Sequence, residues 1–157
     1  MKTIVAFIIA SVLLGAAPSY HVLDGDAILG TWKTGEGNAH VEIIKNGNKY
    51  QGKIVWLKDP NDANTGKPKT DIQHPDKSNH TRPIMGLVNL WGFTFNGKTY
   101  ENGRIYDPKN GKEYKCVMTL KDANTLDVRG YVGITLIGRT DTWTRVKGWN
   151  SGIWESW

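Results

Sequence analysis

The chain has 157 residues, of which 39% are hydrophobic and 22% are charged, and its formal net charge at pH 7 is +5. Its basic residues are scattered rather than concentrated in a stripe, which argues against a nucleic-acid partner. Because Cys116 is the single cysteine, an internal disulfide is excluded, and a folded domain has to be stabilised by its core alone.

Residues 1–19 have the features of a secretory signal peptide. Lys2 supplies a positive start, residues 3–14 form an apolar run, and residues 15–19 are small or turn-forming. The apolar run is too short for a membrane span, and no cysteine follows it to carry a lipid anchor. The sequence therefore predicts an exported protein, periplasmic or secreted, without stable membrane insertion in its mature form.

The stretch from Asp26 to Trp32 is typical of the start of a small up-and-down β-barrel. A short polar helical turn leads through Gly30 to Trp32, whose indole is expected to plug one end of the barrel. Near the other end of the chain, Arg145 is expected to lie across this indole in a cation–π contact. The first and last strands would then meet and close the sheet, which leaves no unpaired edge.

Between these two ends, turn dipeptides separate runs of alternating polar and apolar residues. Asn46-Gly47, Asn96-Gly97 and Asn110-Gly111 are strong hairpin signals, and no long helical pattern occurs between them. We therefore predict an all-β domain over residues 20–146, a closed antiparallel up-and-down β-barrel of about eight strands.

The period-two alternation also predicts which side chains face the barrel interior. In residues 113–121 it assigns Tyr114 and Met118 to the inner face, and in residues 50–58 it assigns Trp56. Together with Trp91, these side chains are predicted to form the apolar wall of a ligand site.

One long segment, residues 58–82, interrupts the strands and is rich in polar residues, proline and histidine. Connections of this length are commonly lids or binding loops, and a solvated loop is the alternative. Its predicted lid residues are Asp71, His74 and Arg82. The spacing of its histidines and acids fits no standard zinc or calcium motif, so no metal site is predicted.

The C-terminal tail, residues 147–157, is rich in tryptophan. Trp149, Ile153, Trp154 and Trp157 would share one face of a helix, although two glycines weaken such a helix. Such a face either packs on the barrel wall or contacts a membrane interface or a partner.

Six motifs in sequence order make the chain resemble an exported bacterial family known as domain of unknown function 2147 (DUF2147). The motifs are Gly30-Thr31-Trp32, Gly52-Lys53-Ile54-Val55-Trp56-Leu57, Arg82-Pro83-Ile84-Met85-Gly86-Leu87, Gly103-Arg104-Ile105-Tyr106-Asp107-Pro108, Val128-Arg129-Gly130-Tyr131-Val132-Gly133 and Gly138-Arg139-Thr140-Asp141-Thr142-Trp143-Thr144-Arg145-Val146. The resemblance implies a lipocalin-like barrel and implies little about activity. His74 stands where this family tends to have asparagine.

No catalytic constellation is recognisable, so we expect a protein that is not an enzyme. None of the histidines lies in a nucleophile motif, and Cys116 fits a core position. Gly35-Glu36-Gly37 lacks the lysine and the helix that follow a phosphate-binding loop, so no cofactor is predicted.

The motif strands also carry polar residues that belong to the predicted ligand site, and their roles have two alternatives. These residues are Arg104, Tyr106, Arg129 and Tyr131. In one alternative, Arg129 forms a structural ion pair with Asp141 on the neighbouring strand. In the other, Arg104 and Arg129 face a cavity and bind the anionic head of a ligand.

The sequence as a whole predicts that the barrel binds a small apolar or amphipathic molecule in its mouth, beneath the long loop. The alternative is a filled barrel that acts through its outer surface and docks a protein, a glycan or the cell envelope. A void above roughly 300 Å³ inside the barrel would favour the ligand.

Overall fold

A computed structural model of the protein describes residues 24–148. The predicted signal peptide and residues 149–157 of the predicted tail lie outside the described residues. Within them, no helix is long and apolar enough to span a membrane.

The described chain forms eight β-strands and two short 3₁₀ helices. The helices are Gly25–Ile28 and Lys77–Asn79, and the strands are β1 (Gly30–Lys33), β2 (Ala39–Asn46), β3 (Lys49–Leu57), β4 (Val88–Phe95), β5 (Tyr100–Asp107), β6 (Lys112–Asp122), β7 (Thr125–Tyr131) and β8 (Gly138–Arg145). Each strand pairs antiparallel with the next, and β8 pairs with β1. The predicted all-β closed barrel with a short helical turn before its first strand is confirmed.

The up-and-down order gives the barrel two different ends. The hairpins β2–β3, β4–β5 and β6–β7 lie at the same end as the first 3₁₀ helix, which we call the closed end. The connections β1–β2, β3–β4, β5–β6 and β7–β8 lie at the opposite end, which we call the open end.

Side chains from the strands hold the first 3₁₀ helix against the closed end. The fully buried Trp32 donates from Nε1 to the Ile28 carbonyl oxygen at 2.9 Å. The Tyr50 hydroxyl donates to the Asp26 carboxylate, and the Tyr100 hydroxyl donates to the Gly25 carbonyl oxygen, both at 2.7 Å. Buried polar tips are therefore paired, and the aromatic bodies fill this end of the barrel.

Arg145 connects the last strand to this helical turn. Its Cζ lies 4.1 Å from the centroid of the Trp32 ring, in a cation–π arrangement. Its guanidinium donates to the carbonyl oxygens of Leu29 and Ala27 at 2.7 Å and to that of Ala123 at 2.6 Å. One side chain thus bonds to the segment before β1, stacks on β1 and bonds to the β6–β7 turn.

The core of the barrel is aliphatic and aromatic. Met118 and Cys116, both predicted on the inner face of β6, are each 1% exposed. The other most deeply buried side chains include Val41, Ile43, Leu90, Phe93, Tyr100 and Leu126. Burial raises the pKa of the Cys116 thiol to about 12, so this thiol stays neutral at physiological pH.

We expect Arg145→Lys to lower the free energy of unfolding by about 2 to 3 kcal/mol, because it removes carbonyl hydrogen bonds and the stacking on Trp32. Urea unfolding followed by far-UV circular dichroism measures this change. Arg139→Lys, an exposed position on the same strand, is the control and should change the value by less than about 0.5 kcal/mol. Equal losses in the two variants would contradict a special role for Arg145.

Candidate functional site

The open half of the barrel contains a cavity of about 1420 Å³ that extends from the interior to the loops of the open end. Its volume exceeds the roughly 300 to 1,000 Å³ typical of small-molecule sites. Its inner part is lined by apolar side chains: Val41, Ile54, Leu57, Ile105, Val128 and Trp143. The barrel is therefore not filled throughout its length.

The outer part of the cavity is polar and carries charges of both signs. Its acidic residues are Glu36, Asp59, Asp62, Asp107 and Asp141, and its basic residues are Lys67, Lys69, Lys109 and Arg139. Some of these groups already have partners: Lys109 bonds to Glu36, and Asp141 accepts from Trp143 Nε1 at 2.7 Å. An apolar floor with a polar rim matches the surface of an amphipathic molecule.

One buried polar side chain in the cavity wall lacks a partner. Asn89 is 8% exposed, and among the described residues its Oδ1 atom has no hydrogen-bond partner. The β3–β4 register pairs Gly52 with Leu90 and Lys53 with Val88, which makes Asn89 the extra residue of a β-bulge. Because an unpaired buried acceptor costs about 1 to 3 kcal/mol, this amide is a candidate contact for a ligand.

The long β3–β4 connection packs over the open end and is fixed by a buried carboxylate. Asp71 is fully buried, and its Oδ2 lies 2.5 Å from Arg82 Nη2. Its Oδ1 accepts from the Tyr106 hydroxyl of β5 at 2.7 Å. Backbone hydrogen bonds from Asp71 N to Arg82 O and from Ile84 N to Lys69 O join the two arms of the loop.

Tyr106 and His74 complete this cluster. Burial, reinforced by the hydrogen bond to Asp71, raises the pKa of Tyr106 to about 12, so its hydroxyl remains a donor. The His74 ring lies 5.5 Å from the Tyr106 ring, between centroids. The three predicted lid residues, Asp71, His74 and Arg82, are therefore brought together with Tyr106 in one place.

Of the eight predicted ligand-site residues, three line the cavity: Tyr106, Tyr114 and Tyr131. Met118 is buried in the core and is not part of the cavity lining. Its partners across the sheet are Tyr100 and Val128.

Two tryptophans that were predicted for the apolar wall do not line the cavity. The β2–β3 register pairs Val41 with Ile54 but His40 with Trp56, so a bulge reverses the faces beyond Ile54. Trp56 therefore packs beside His40, with ring centroids 4.4 Å apart, and Leu57 takes the place in the cavity wall. Trp91 pairs with Arg104 across β4 and β5 and is also absent from the lining.

Both predicted roles for the arginines require correction. Arg104 forms an ion pair with Glu113 at 3.0 Å, and both side chains are nearly half exposed. Arg129 pairs in register with Thr140, and Asp141 lies opposite Val128, so the proposed Arg129–Asp141 ion pair does not form. Arg129 instead bonds to Thr140 Oγ1 and to the carbonyl oxygens of Thr135 and Leu136.

The sequence analysis missed Asn89, Leu57 and Asp141 as cavity residues. For Asn89 the sequence does hold a signal, since it is a lone polar residue within the apolar run from Leu87 to Trp91. The sequence alone does not show that Asn89 lies in the cavity wall. Its position there depends on the β-bulge, which depends on the pairing of β4 with β3.

Two comparisons with known proteins agree with this architecture. The family model described as an uncharacterized protein conserved in bacteria, DUF2147, matches residues 30–145. The chain belongs to the DUF2147 family. This confirms the resemblance carried by the six motifs. Comparison with curated proteins finds no match.

A solved structure similar to this DUF2147 protein is that of protein HP1028 from the human pathogen Helicobacter pylori, described as belonging to the lipocalin family. The two chains share 21% sequence identity and superpose with a TM-score of 0.65, over 76% of this chain and 83% of that one. At this level of identity the similarity shows a shared fold.

Between residues 24 and 148, no group of three or more histidine, cysteine or acidic side chains is placed to bind a metal ion. Cys116 is buried and its thiol is neutral, which is the opposite of an activated nucleophile.

We expect Tyr106→Phe to lower the free energy of unfolding by about 2 kcal/mol, because it removes a hydrogen bond to a buried carboxylate. It should also increase amide hydrogen exchange in residues 69–84, which Asp71 anchors to the barrel. Hydrogen exchange measured by mass spectrometry tests both effects. Tyr131→Phe, in the same cavity wall, is the matched control and should leave exchange in the loop unchanged; equal exchange in both variants would contradict the anchoring role.

Proposed function

We propose that this protein is an exported, non-enzymatic binding protein that holds a small, partly apolar molecule inside its barrel. The observation that carries the proposal is the cavity of about 1420 Å³ in the open half, with its apolar floor and polar rim. Closed eight-stranded barrels have interiors of a size that can hold one small ligand, as in lipocalins, and the fold shared with the Helicobacter pylori protein fits this use.

The cavity chemistry indicates how such a ligand would be oriented. Its apolar part would contact the floor around Val41, Val128 and Trp143, where transfer from water is favourable. A hydroxyl, amide or other hydrogen-bonding group would reach Asn89, whose buried Oδ1 offers an acceptor. A charged or strongly polar head would remain among the mixed charges of the rim.

In this proposal the long β3–β4 connection forms part of the wall and covers the ligand. Asp71 ties the loop to Tyr106 of β5, which keeps Pro83 and Ile84 of the loop at the cavity. A loop anchored in this way gives a largely preformed pocket, which lowers the entropic cost of binding.

The cavity can be narrowed from Gly130, where the wall has room for a Cβ atom. A Cβ atom at Gly130 would lie 3.5 Å from Ile105 Cγ2 and 3.7 Å from Tyr114 Cβ, which are ordinary contact distances. We expect Gly130→Leu to fold normally and to bind a dansyl-labelled fatty acid at least about tenfold more weakly, since one added methylene in a pocket can already change binding about tenfold.

Fluorescence titration measures this affinity, and native mass spectrometry of the purified protein detects a molecule that copurifies with it. Lys115→Leu adds the same side chain at an exposed position of the neighbouring strand and should bind as the wild type does. Absence of any bound molecule in the wild type, together with no binding of the labelled fatty acid or of labelled sterols, would refute the proposal.

Asn89→Leu separates a binding role from a structural one. Replacing an amide whose buried oxygen is unpaired with an apolar group of similar size should leave the free energy of unfolding unchanged or raise it. Affinity for a ligand that hydrogen-bonds to the amide should fall about tenfold or more, because the ligand group then loses its partner. A variant that is destabilised yet binds the copurified molecule normally would contradict this assignment.

A further inference from the structure

The loop that joins β7 to β8 at the open end exposes a cluster of large apolar side chains. Residues 132–137 contain no charged residue, and the exposed fractions are 64% for Val132, 57% for Ile134, 84% for Leu136 and 66% for Ile137. Neighbouring exposed apolar side chains of this kind are a feature of interaction sites.

Several carbonyl oxygens of this loop are paired within the protein. The carbonyl oxygen of Ile134 accepts from Ile137 N, and that of Ile137 accepts from Val132 N. The carbonyl oxygens of Thr135 and Leu136 accept from the guanidinium of Arg129, at 2.8 and 3.3 Å. Four consecutive carbonyl oxygens therefore have partners within the protein while the side chains around them are exposed.

Paired carbonyl groups matter when a segment leaves water. An unpaired backbone group carries a large free-energy cost in an apolar medium, and a paired one carries little. The loop thus combines exposed apolar side chains with four carbonyl oxygens that do not depend on water, which lowers the cost of bringing the loop into the interfacial region of a bilayer.

The loop also borders the opening of the cavity. Val132 and Ile137 line that cavity, and so does Ile72 of the long β3–β4 connection, which is 64% exposed. The apolar surface therefore lies on two loops that border the same opening. Arg129 and Arg139 flank the β7–β8 loop on its two sides.

We propose that the open end of the barrel docks onto a phospholipid bilayer that contains anionic lipid, with residues 132–137 and Ile72 inserted at the interface. Arg139 at the opening would contact lipid phosphate, to which cationic side chains near an anionic surface are attracted, while Arg129 keeps the loop carbonyl oxygens paired. In this orientation the cavity opens towards the membrane.

A bilayer fits this surface better than a second copy of the chain. A stable interface between proteins buries about 800 Å² on each partner and requires a matching shape. The exposed cluster is a single short loop with one isoleucine beside it, and a bilayer accepts such a protruding tip without shape complementarity.

The test is flotation of the purified mature protein with vesicles of phosphatidylcholine alone and with vesicles that also contain phosphatidylglycerol. We expect binding to the anionic vesicles and a loss of about tenfold or more in Leu136→Asp and in Ile134→Asp, because a charge replaces an inserted apolar side chain. Val88→Asp is the matched control: Val88 is 38% exposed on β4, outside the cavity lining, and the substitution should leave binding unchanged.

Three outcomes would overturn the proposal. One is wild-type protein that floats with neither vesicle, and another is flotation that Leu136→Asp and Ile134→Asp leave unchanged, which would indicate a different surface. The third is a dimer in sedimentation velocity that Leu136→Asp dissociates, which would assign the loop to contacts between copies. Gly130→Leu is expected to float like the wild type, so failure of ligand binding and failure of membrane docking remain distinguishable.

Discussion

The barrel depends on the contact between Arg145 and Trp32, because the seam that closes it is short. β1 and β8 share only the register pairs Trp32 with Arg145 and Lys33 with Thr144 among the described residues. The Arg145 guanidinium adds three hydrogen bonds to carbonyl oxygens and the stacking on the indole. The planar guanidinium of an arginine can bond to several carbonyl oxygens and stack on an indole at the same time, which the ammonium group of a lysine cannot do.

One end of the barrel is closed by packed side chains, and the other end holds the cavity. Trp32, Tyr50 and Tyr100 fill the end at the first 3₁₀ helix, and the cavity lies in the half from which the long loop departs. Asp71 accepts from Arg82 and from Tyr106 and so anchors that loop with a buried carboxylate whose two oxygens are both paired. Buried polar atoms normally have hydrogen-bond partners, and in the cavity wall the Oδ1 atom of Asn89 is an exception among the described residues. Such exceptions are expected at functional sites.

Arginine has a related role at each end of the molecule. Arg145 bonds to carbonyl oxygens around the closed end, and Arg129 bonds to those of the β7–β8 loop at the open end. In both places the guanidinium, rather than water, donates to carbonyl oxygens of backbone that lies outside the strands. At the closed end this stabilises packing, and at the open end it leaves exposed apolar side chains on a loop with paired carbonyl oxygens.

The sequence by itself determined the barrel, because its signals are local: alternation within strands, Asn-Gly turns between them, and the motifs at Trp32 and Arg145 that identify the two closing strands. Only the tertiary structure decided which residues face the cavity. A bulge beyond Ile54 replaces Trp56 with Leu57 in the wall, and another buries Asn89. Bulges arise from pairing with a neighbouring strand, and one extra residue reverses every later side chain, so period-two alternation alone cannot locate them. The contact of Asp71 with Tyr106 and the cavity volume likewise depend on elements distant in sequence.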